Sequence, residues 1–421
     1  MKVKALALAL LTASLVNTGH AAEGPVPVGI PRLDHVFLIM LENHGYSQVL
    51  NNPNMPFINQ LAQSANLATN YFAVGHPSLT NYLEVVGGSN FGVLTDNPPD
   101  WHDSSCLTNL ALGTAATDNP PSPSVCPISG IGTDAATPVL DTTNETQGLP
   151  GEINIDGVQS LSASNNIDGM TIVDQLVASN YSWKSYQENM PSVGADKVNY
   201  SDGFFTNLTD FSQFQPTVNP PLAQSDIVQL YAAKHVPFVY FRSVQEGTDP
   251  RNSLHNIVGF NGDRGLFADL RSGHVPNFSF IAPNQCDDQH GQGNAGPLCN
   301  YDPNDNGTQD GLNPALMMRG DMTVRNLVTA IKRSPVWQHG KNAIIIVWDE
   351  NDYSLAPNIN QVALIVDTSY GVHGVQSGNR YNHFSLLKSL DAGFRLPCLN
   401  HACDAGVNVM SDLFANDHNP F

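Results

Sequence analysis

The chain has 421 residues, of which 38 are acidic and 18 are basic, so its formal net charge is −20. So acidic a protein is not expected to bind nucleic acid or an anionic membrane through bulk charge. An anionic substrate would need local positive charge, which a metal ion supplies most simply. The length allows a large core, enough for one α/β domain with long insertions or for two domains.

The N-terminal segment, "MKVKALALALLTASLVNTGHAAEG", has two lysines, then an apolar run too short to span a bilayer, then small residues. This order predicts a secretory signal peptide over residues 1–21, cut after Ala21 or Ala22, with a retained membrane anchor as the alternative. No later apolar run approaches the roughly 20 residues of a membrane helix. We therefore expect one mature domain over residues 22–421, secreted or periplasmic, with no stable membrane anchor.

Residues 75–88, "GHPSLTNYLEVVGG", predict a helix. Apolar residues recur at i, i+3, i+4 and i+7 from Leu79 onward, and the Gly-Gly pair marks the helix end. Ser78 stands at the expected N-cap. Its hydroxyl would cap the helix or, at the positive end of the helix, face a bound anion. Asn81, one turn on, faces the same side and could hold an oxygen of that anion.

The next stretch, residues 88–168, is rich in Pro, Gly, Ser, Thr, Asn and Asp. We interpret it as a loop-rich insertion that covers part of a site. Six cysteines in an exported protein predict disulfides. We favour pairing between near neighbours in the sequence, namely Cys106 with Cys126, Cys286 with Cys299, and Cys398 with Cys403. Zinc binding by the last pair together with His401 is the alternative there.

Apolar runs of strand length recur along the chain, and helical patterns lie between them. Because the runs lack polar alternation, they indicate strands covered on both faces, as in a parallel sheet. The fold class predicted is therefore α/β, with a largely parallel central sheet and helices on both faces. The strand candidates are residues 33–43, 236–241, 277–284, 342–351 and 361–367. The helix candidates are "TIVDQLVASN", which leads into "YSWKSYQE", and "MTVRNLVTAIKRSP", which follows Gly320 and Asp321.

Two of the predicted strands end in acidic residues. Residues 33–43 end in Glu42-Asn43, and residues 342–351 carry Asp349-Glu350 near their end. Adjacent strand ends would bring these oxygens together, and such close carboxylates repel unless a cation lies between them. Oxygen ligands suit one divalent ion such as Mg, Ca, Mn or Zn, and that ion would also stabilise an alkoxide at Ser78. The alternative is that each acid is a solvated residue at a strand end.

Residues 302–313, "DPNDNGTQDGLN", partly match a calcium loop of the EF-hand kind. The matching positions are Asp302, Asn304, Asn306, Gly307 and Asp310, but asparagine replaces the final bidentate glutamate. We favour an ordinary Asp/Asn turn over a second calcium site.

Five motifs in one order resemble the bacterial and fungal phosphoesterase family of the alkaline-phosphatase-like superfamily. They are "LDHVFLIMLENHGYSQVL", "HPSLTNYLEVVGGS", "IAPNQCDDQH", "VWDENDYS" and "YNHFSLLKSLDAGFRLP". The family includes acid phosphatases and phospholipases C, and the second motif is most similar to the acid phosphatases. The resemblance implies that Glu42, Asn43, Asp349 and Glu350 bind the metal. It also implies that Ser78 is a nucleophile that contacts the metal and becomes phosphorylated.

Further site residues follow from this resemblance. Asn81 matches an asparagine that contacts phosphate in related enzymes. A phosphoserine mechanism needs a proton donor, and His290, with Asp288 to orient or charge it, is the candidate. His76 could reach the site or pack the turn, and His383, after the predicted cap Asn382, could reach the site or secure its helix.

We therefore expect a metal-dependent phosphomonoesterase, acid-phosphatase-like, with a small phosphate ester as substrate. One alternative is a phosphodiesterase of the phospholipase C type. Another is an exported calcium-binding protein without catalytic activity.

Overall fold

In the computed structural model, the residues described are 23–91, 167, 169–190, 193–194, 230–292, 295–302, 307–351 and 360–414. The predicted signal peptide, the Cys106–Cys126 pairing and nearly all of the predicted insertion lie outside these ranges. So do Asn304 and Asn306 of the calcium-loop motif.

One sheet of nine strands runs through the described part of the chain, in the order β4-β3-β5-β1-β6-β7-β2-β8, with β9 beside β2. The strands are β1 (His35–Leu41), β2 (Asn66–Phe72), β3 (Trp183–Gln187), β4 (Ile257–Gly259), β5 (Phe278–Ala282), β6 (Asn342–Trp348), β7 (Gln361–Thr368), β8 (Gln376–Ser377) and β9 (Tyr381–Asn382). Neighbours from β4 to β6 pair in parallel, as do β2 with β8 and β2 with β9. The predicted α/β class with a largely parallel sheet is confirmed.

Strand β7 departs from the parallel pattern, because it runs antiparallel to both β6 and β2. Its apolar run, like that of β6, is almost wholly buried. An apolar run reports burial on both faces and not strand direction, and an antiparallel neighbour needs no helical crossover to reach its place.

Helices surround the sheet in two packed groups, one of α2, α6 and α7 and one of α3, α4 and α8. The helices are α1 (Tyr46–Val49), α2 (Pro56–Ser64), α3 (Ser78–Gly87), α4 (Ile172–Ala178), α5 (Arg242–Glu246), α6 (Leu266–Ser272), α7 (Pro314–Arg333) and α8 (His383–Phe394). Both predicted helix patterns, in α4 and α7, are confirmed. "YSWKSYQE" contains β3.

Two predicted helix starts are wrong. Helix α7 begins at Pro314, capped by the Asn313 side chain, and runs through Gly320 and Asp321. Asp321 is instead a buried acceptor for the backbone N–H groups of Phe57 and Ile58 at the start of α2. Ser78 is the first residue of α3 and not its N-cap, because the extended Pro77 takes that position. The Ser78 hydroxyl is therefore available for other partners.

The predicted strand over residues 236–241 is also wrong. Short 3-10 helices cover Ala233–His235 and Pro237–Tyr240, and the apolar side chains of this run are fully buried. Pro237 begins the second of them with its fixed φ and lacks the N–H that a central strand would need. The apolar composition of this run reports that it is buried, and burial alone does not make it a strand.

Disulfides join Cys286 to Cys299 and Cys398 to Cys403, so two of the three predicted pairings are confirmed. The second disulfide leaves no thiolate there for zinc. Asp302, from the calcium-loop motif, accepts hydrogen bonds from His44 and from the Asn313 backbone. Among the described residues there is no helix with the length and apolar character that crossing a bilayer demands.

Candidate active site

The carboxyl ends of three neighbouring strands, β5, β1 and β6, meet in the middle of the sheet. Glu42 follows β1 directly, Asp349 follows β6, and the loop after β5 carries Asp288. The Glu42 backbone N–H donates to the Asp288 carbonyl at 2.8 Å, which ties two of these strand ends together. The edge predicted to gather acidic residues is therefore the edge where they lie.

Ser78, at the start of α3, faces two of these carboxylates. Its Oγ lies 2.9 Å from Glu42 Oε2 and 3.3 Å from Glu350 Oε1, and the residue is only 1% exposed. The first turn of a helix favours anions because its N–H groups point outward. Ser78 thus combines a hydroxyl, nearby proton acceptors and a local preference for negative charge.

Asn81 and His76 hold Glu350 in place. Asn81 Nδ2 donates to Glu350 Oε2 at 3.0 Å, and His76 Nδ1 lies 2.8 Å from the same oxygen. The Asn81 side chain also bonds the loop before α3, through the Val74 and Gly75 backbone. These contacts orient the loop that precedes Ser78. The phosphate contact predicted for Asn81 remains a prediction.

Glu42, His235 and Asp288 form a compact buried triad whose candidate ligand atoms all lie within 4.8 Å of one another. His235 Nε2 lies 3.1 Å from Glu42 Oε1, and His235 Nδ1 lies 3.2 Å from Asp288 Oδ2. Tyr82 donates to Glu42 Oε1 at 2.6 Å and stacks on the His235 ring. One imidazole and two carboxylates are a ligand set that suits zinc and other first-row divalent ions.

Asp349 stands beside the triad. Its Oδ1 accepts the Asn43 backbone N–H at 3.0 Å, and Asn43 adopts a left-handed φ of 54° there. His383 Nε2 donates to the Asp349 carbonyl at 2.6 Å, and Tyr71 donates to His383 Nδ1. Burial lowers the pKa of His383 to about 4, so it is a neutral ring that supports Asp349 from behind.

Asp288 Oδ2, Asp349 Oδ2 and His235 Nε2 are among the buried atoms at this edge that make no hydrogen bond with the described residues. Burial, together with the charge of Glu42, raises the pKa of Asp288 and of Asp349 well above the usual range. Burial and the positive charge of Lys234 lower the pKa of His235, which keeps the ring neutral. Such a set costs free energy unless a cation neutralises it, so these residues fit a divalent ion.

His290, the predicted proton donor, lies at the same edge. Its Nδ1 is 2.8 Å from the Gly291 carbonyl, its Nε2 is 3.2 Å from Lys234 Nζ, and its backbone N–H donates to Asp288 Oδ1. With Nδ1 donating to Gly291, Nε2 is the acceptor of a Lys234 N–H. Asp288 thus accepts the backbone N–H of His290 with one carboxylate oxygen and faces His235 with the other.

Sequence reasoning missed Lys234 and His235. They precede a run interpreted as a strand, and no motif that we recognised includes them. The available signal was a Lys-His pair directly before a fully apolar segment, where an unpaired charge is not expected.

Comparison with known proteins shows which family the chain is similar to. The model of the Phosphoesterase family matches residues 43–399. An acid phosphatase of Aspergillus fumigatus is 22% identical over 380 residues, which cover 90% of this chain and 58% of that protein. A phosphatidylinositol-3-phosphatase of Mycobacterium tuberculosis is 23% identical over 407 residues, 94% of this chain and 90% of that protein.

This chain therefore spans less than two thirds of the length of the fungal relative. Among solved structures, an alkaline phosphatase superfamily protein of Vibrio parahaemolyticus aligns with this chain over 91% of this chain and 72% of that protein's chain. That alignment has a TM-score of 0.42 and 10% identity.

Proposed function

Since the chain belongs to the phosphoesterase family, we propose that it is a secreted, metal-dependent phosphomonoesterase that works through a phosphoserine at Ser78. The observation that carries the proposal is the position of Ser78 Oγ, 2.9 Å from Glu42, which is itself part of the buried triad with His235 and Asp288. The similarity to an acid phosphatase supports the same reaction class.

Glu42, His235 and Asp288 would hold the metal, with Asp349 and Glu350 beside them and Asn43 at the rim. A divalent ion there would polarise a phosphoryl oxygen and favour the ionised serine. We expect one ion, of the group Mg, Ca, Mn or Zn.

The chain's own residues would accept the protons of the serine and of the attacking water. Ser78 Oγ forms a bond to phosphorus while the ester P–O bond breaks, and its proton passes to a carboxylate that it already faces, Glu42 or Glu350. The departing alkoxide takes a proton from solvent. Water then attacks the phosphoserine, His290 Nε2 accepts the water's proton, and Ser78 regains its own proton as phosphate leaves.

This assignment makes His290 a base in the second half of the cycle. Donation to the leaving group, as the sequence predicts, would require a ring that is doubly protonated before the reaction begins, 3.2 Å from the Lys234 ammonium. Acceptance of a proton starts from the neutral ring, whose Nε2 must first exchange its Lys234 hydrogen bond for one from water. The donor role therefore stays a prediction, and the acceptor role is the one that the hydrogen-bond geometry favours.

The proposal is tested with p-nitrophenyl phosphate and the mature protein. We expect hydrolysis that Ser78→Ala lowers by at least about 1,000-fold. A chelator should abolish hydrolysis, and divalent ions should restore it. Ser272→Ala, at the exposed end of α6, should leave the rate unchanged.

Other outcomes would select the alternatives. Faster hydrolysis of bis-p-nitrophenyl phosphate or phosphatidylcholine than of the monoester would favour the phospholipase C type. Calcium binding without hydrolysis of any ester would favour the non-catalytic reading. Full activity of Ser78→Ala would exclude a phosphoserine mechanism.

A further inference from the structure

We propose that Lys234 binds the non-bridging oxygens of the substrate phosphoryl group and so selects doubly charged phosphomonoesters over singly charged phosphodiesters. This inference rests on the proposed function and deepens it, because it names the residue that would determine the substrate class.

The position of Lys234 carries the argument. The residue is 1% exposed, and its Nζ lies 3.4 Å from Ser78 Oγ and 3.2 Å from His290 Nε2. A group 3.4 Å from the nucleophile is within reach of the oxygens of a phosphoryl group that the serine attacks. An ammonium has three N–H donors and no acceptor, so a phosphoryl oxygen placed there would meet a donor with full positive charge.

The charges around Lys234 explain why a lysine stands there. Glu42, Asp288, Asp349 and Glu350 place four carboxylates at this edge, all of them buried. A divalent ion and Lys234 together offset three of those negative charges, so a phosphate dianion would approach a site that is close to neutral and not strongly repulsive. Arg319 does not share this position, because it pairs with Asp287 at 2.8 Å and is 39% exposed.

A short 3-10 helix that packs against α3 positions Lys234 beside the nucleophile. Lys234 and His235 share one 3-10 helix, which packs against α3. His235 stacks on Tyr82, one turn after Ser78 in α3. Consecutive residues of one segment therefore face the metal triad and the phosphoryl position.

Selectivity follows from charge. A monoester carries two negative charges near neutral pH and a diester carries one, so the loss of a buried cation weakens the monoester interaction more. A hydrogen bond to a charged group contributes enough that its loss should lower the monoester kcat/KM by roughly 10- to 100-fold. The diester kcat/KM should fall by only about 3- to 10-fold, because the diester carries half of the charge and loses about half of the attraction.

The experiment compares Lys234→Gln with the wild-type holoenzyme on p-nitrophenyl phosphate and bis-p-nitrophenyl phosphate. Calorimetry of inorganic phosphate binding gives a second readout that needs no turnover, and phosphate should bind at least about 10-fold more weakly to the variant. Metal binding should not weaken, because removal of a positive charge from beside the carboxylates cannot reduce their attraction for a divalent ion. Lys184→Gln is the matched control, since Lys184 pairs with Asp269 away from the site. This substitution should change neither the ratio of monoester to diester kcat/KM nor the affinity for phosphate.

Equal losses on both esters, or unchanged phosphate affinity, would overturn the proposal. If Lys234→Gln does not fold, Lys234→Arg decides, because it keeps the charge and must keep the monoester preference. A folded Lys234→Arg enzyme without that preference would also overturn it. Failure of the proposed function is distinguishable, since wild-type protein would then hydrolyse neither ester or would already prefer the diester before any substitution is made.

Discussion

His235 illustrates how burial determines the chemistry of a single residue at this site. Burial and the nearby ammonium of Lys234 lower its pKa, so the ring is neutral and can act as a metal ligand. Its two nitrogens lie 3.1 Å from Glu42 and 3.2 Å from Asp288. A neutral imidazole between two carboxylates is better explained by a shared cation than by an ion pair.

The corresponding prediction concerns His235→Ala. Loss of a residue that only supports a ligand typically weakens metal affinity by about 10- to 100-fold, so loss of a ligand should exceed about 100-fold. Titration of zinc or calcium, followed by calorimetry, measures the effect. His255→Ala, at an exposed residue of a short 3-10 helix, is the control. Unchanged affinity in the His235 variant would remove this residue from the metal site.

At the scale of elements, helix α3 matters because it presents Ser78. Its apolar face is buried, and it ends where the Gly-Gly pair predicts. Gly88 adopts a φ of 70°, and its N–H donates to the Glu84 carbonyl. A Cβ at this position would lie 2.4 Å from the Leu399 carbonyl oxygen, so glycine is needed both for its φ and for space.

We therefore expect Gly88→Ala to lower the free energy of unfolding by at least about 2 kcal/mol, since strained φ and a backbone clash act together. Urea denaturation measures the change. Gly406→Ala should lie within about 0.5 kcal/mol of wild type, because nothing lies within 4 Å of its added Cβ. A Gly88→Ala variant as stable as wild type would show that the end of α3 can move.

At the scale of the whole molecule, one buried acid outside the site affects stability. Asp391, on α8, is fully buried, and no hydrogen bond from the described residues reaches either carboxylate oxygen. Burial, then the charge of Glu23, raise its pKa well above the usual value. When the pKa of an acid is higher in the folded than in the unfolded state, the folded protein holds the proton more tightly. The free energy of unfolding therefore falls as pH rises above the pKa of the unfolded state.

The expected result for Asp391→Asn is a gain in stability at pH 8, on the order of 1 kcal/mol, and little gain at pH 4. Thermal unfolding at both pH values measures it. Asp310→Asn, at an exposed turn, is the control. A variant that is less stable at both pH values would contradict the prediction and would indicate that Asp391 binds a cation.

The sequence by itself determined the type of most elements and the acidic residues that follow two of the strands. Apolar runs identified β1, β5, β6 and β7, and the i, i+3, i+4, i+7 spacing of apolar residues identified α3. Glu42 and Asp349 follow apolar runs directly, which placed them at strand ends. These properties are local, because burial and helix geometry act on neighbours in the chain. The family resemblance rests on the same local motifs.

Only the tertiary structure decided which distant segments meet. His235 and Lys234 reach the site because the sheet order places β5 beside β1 and because a 3-10 segment, not a strand, packs against α3. Tertiary contacts also explain why α7 starts at Pro314 and why the Asp321 side chain accepts hydrogen bonds from the start of α2. Local periodicity carries no information on such contacts, since they depend on how layers pack and on which buried groups find partners.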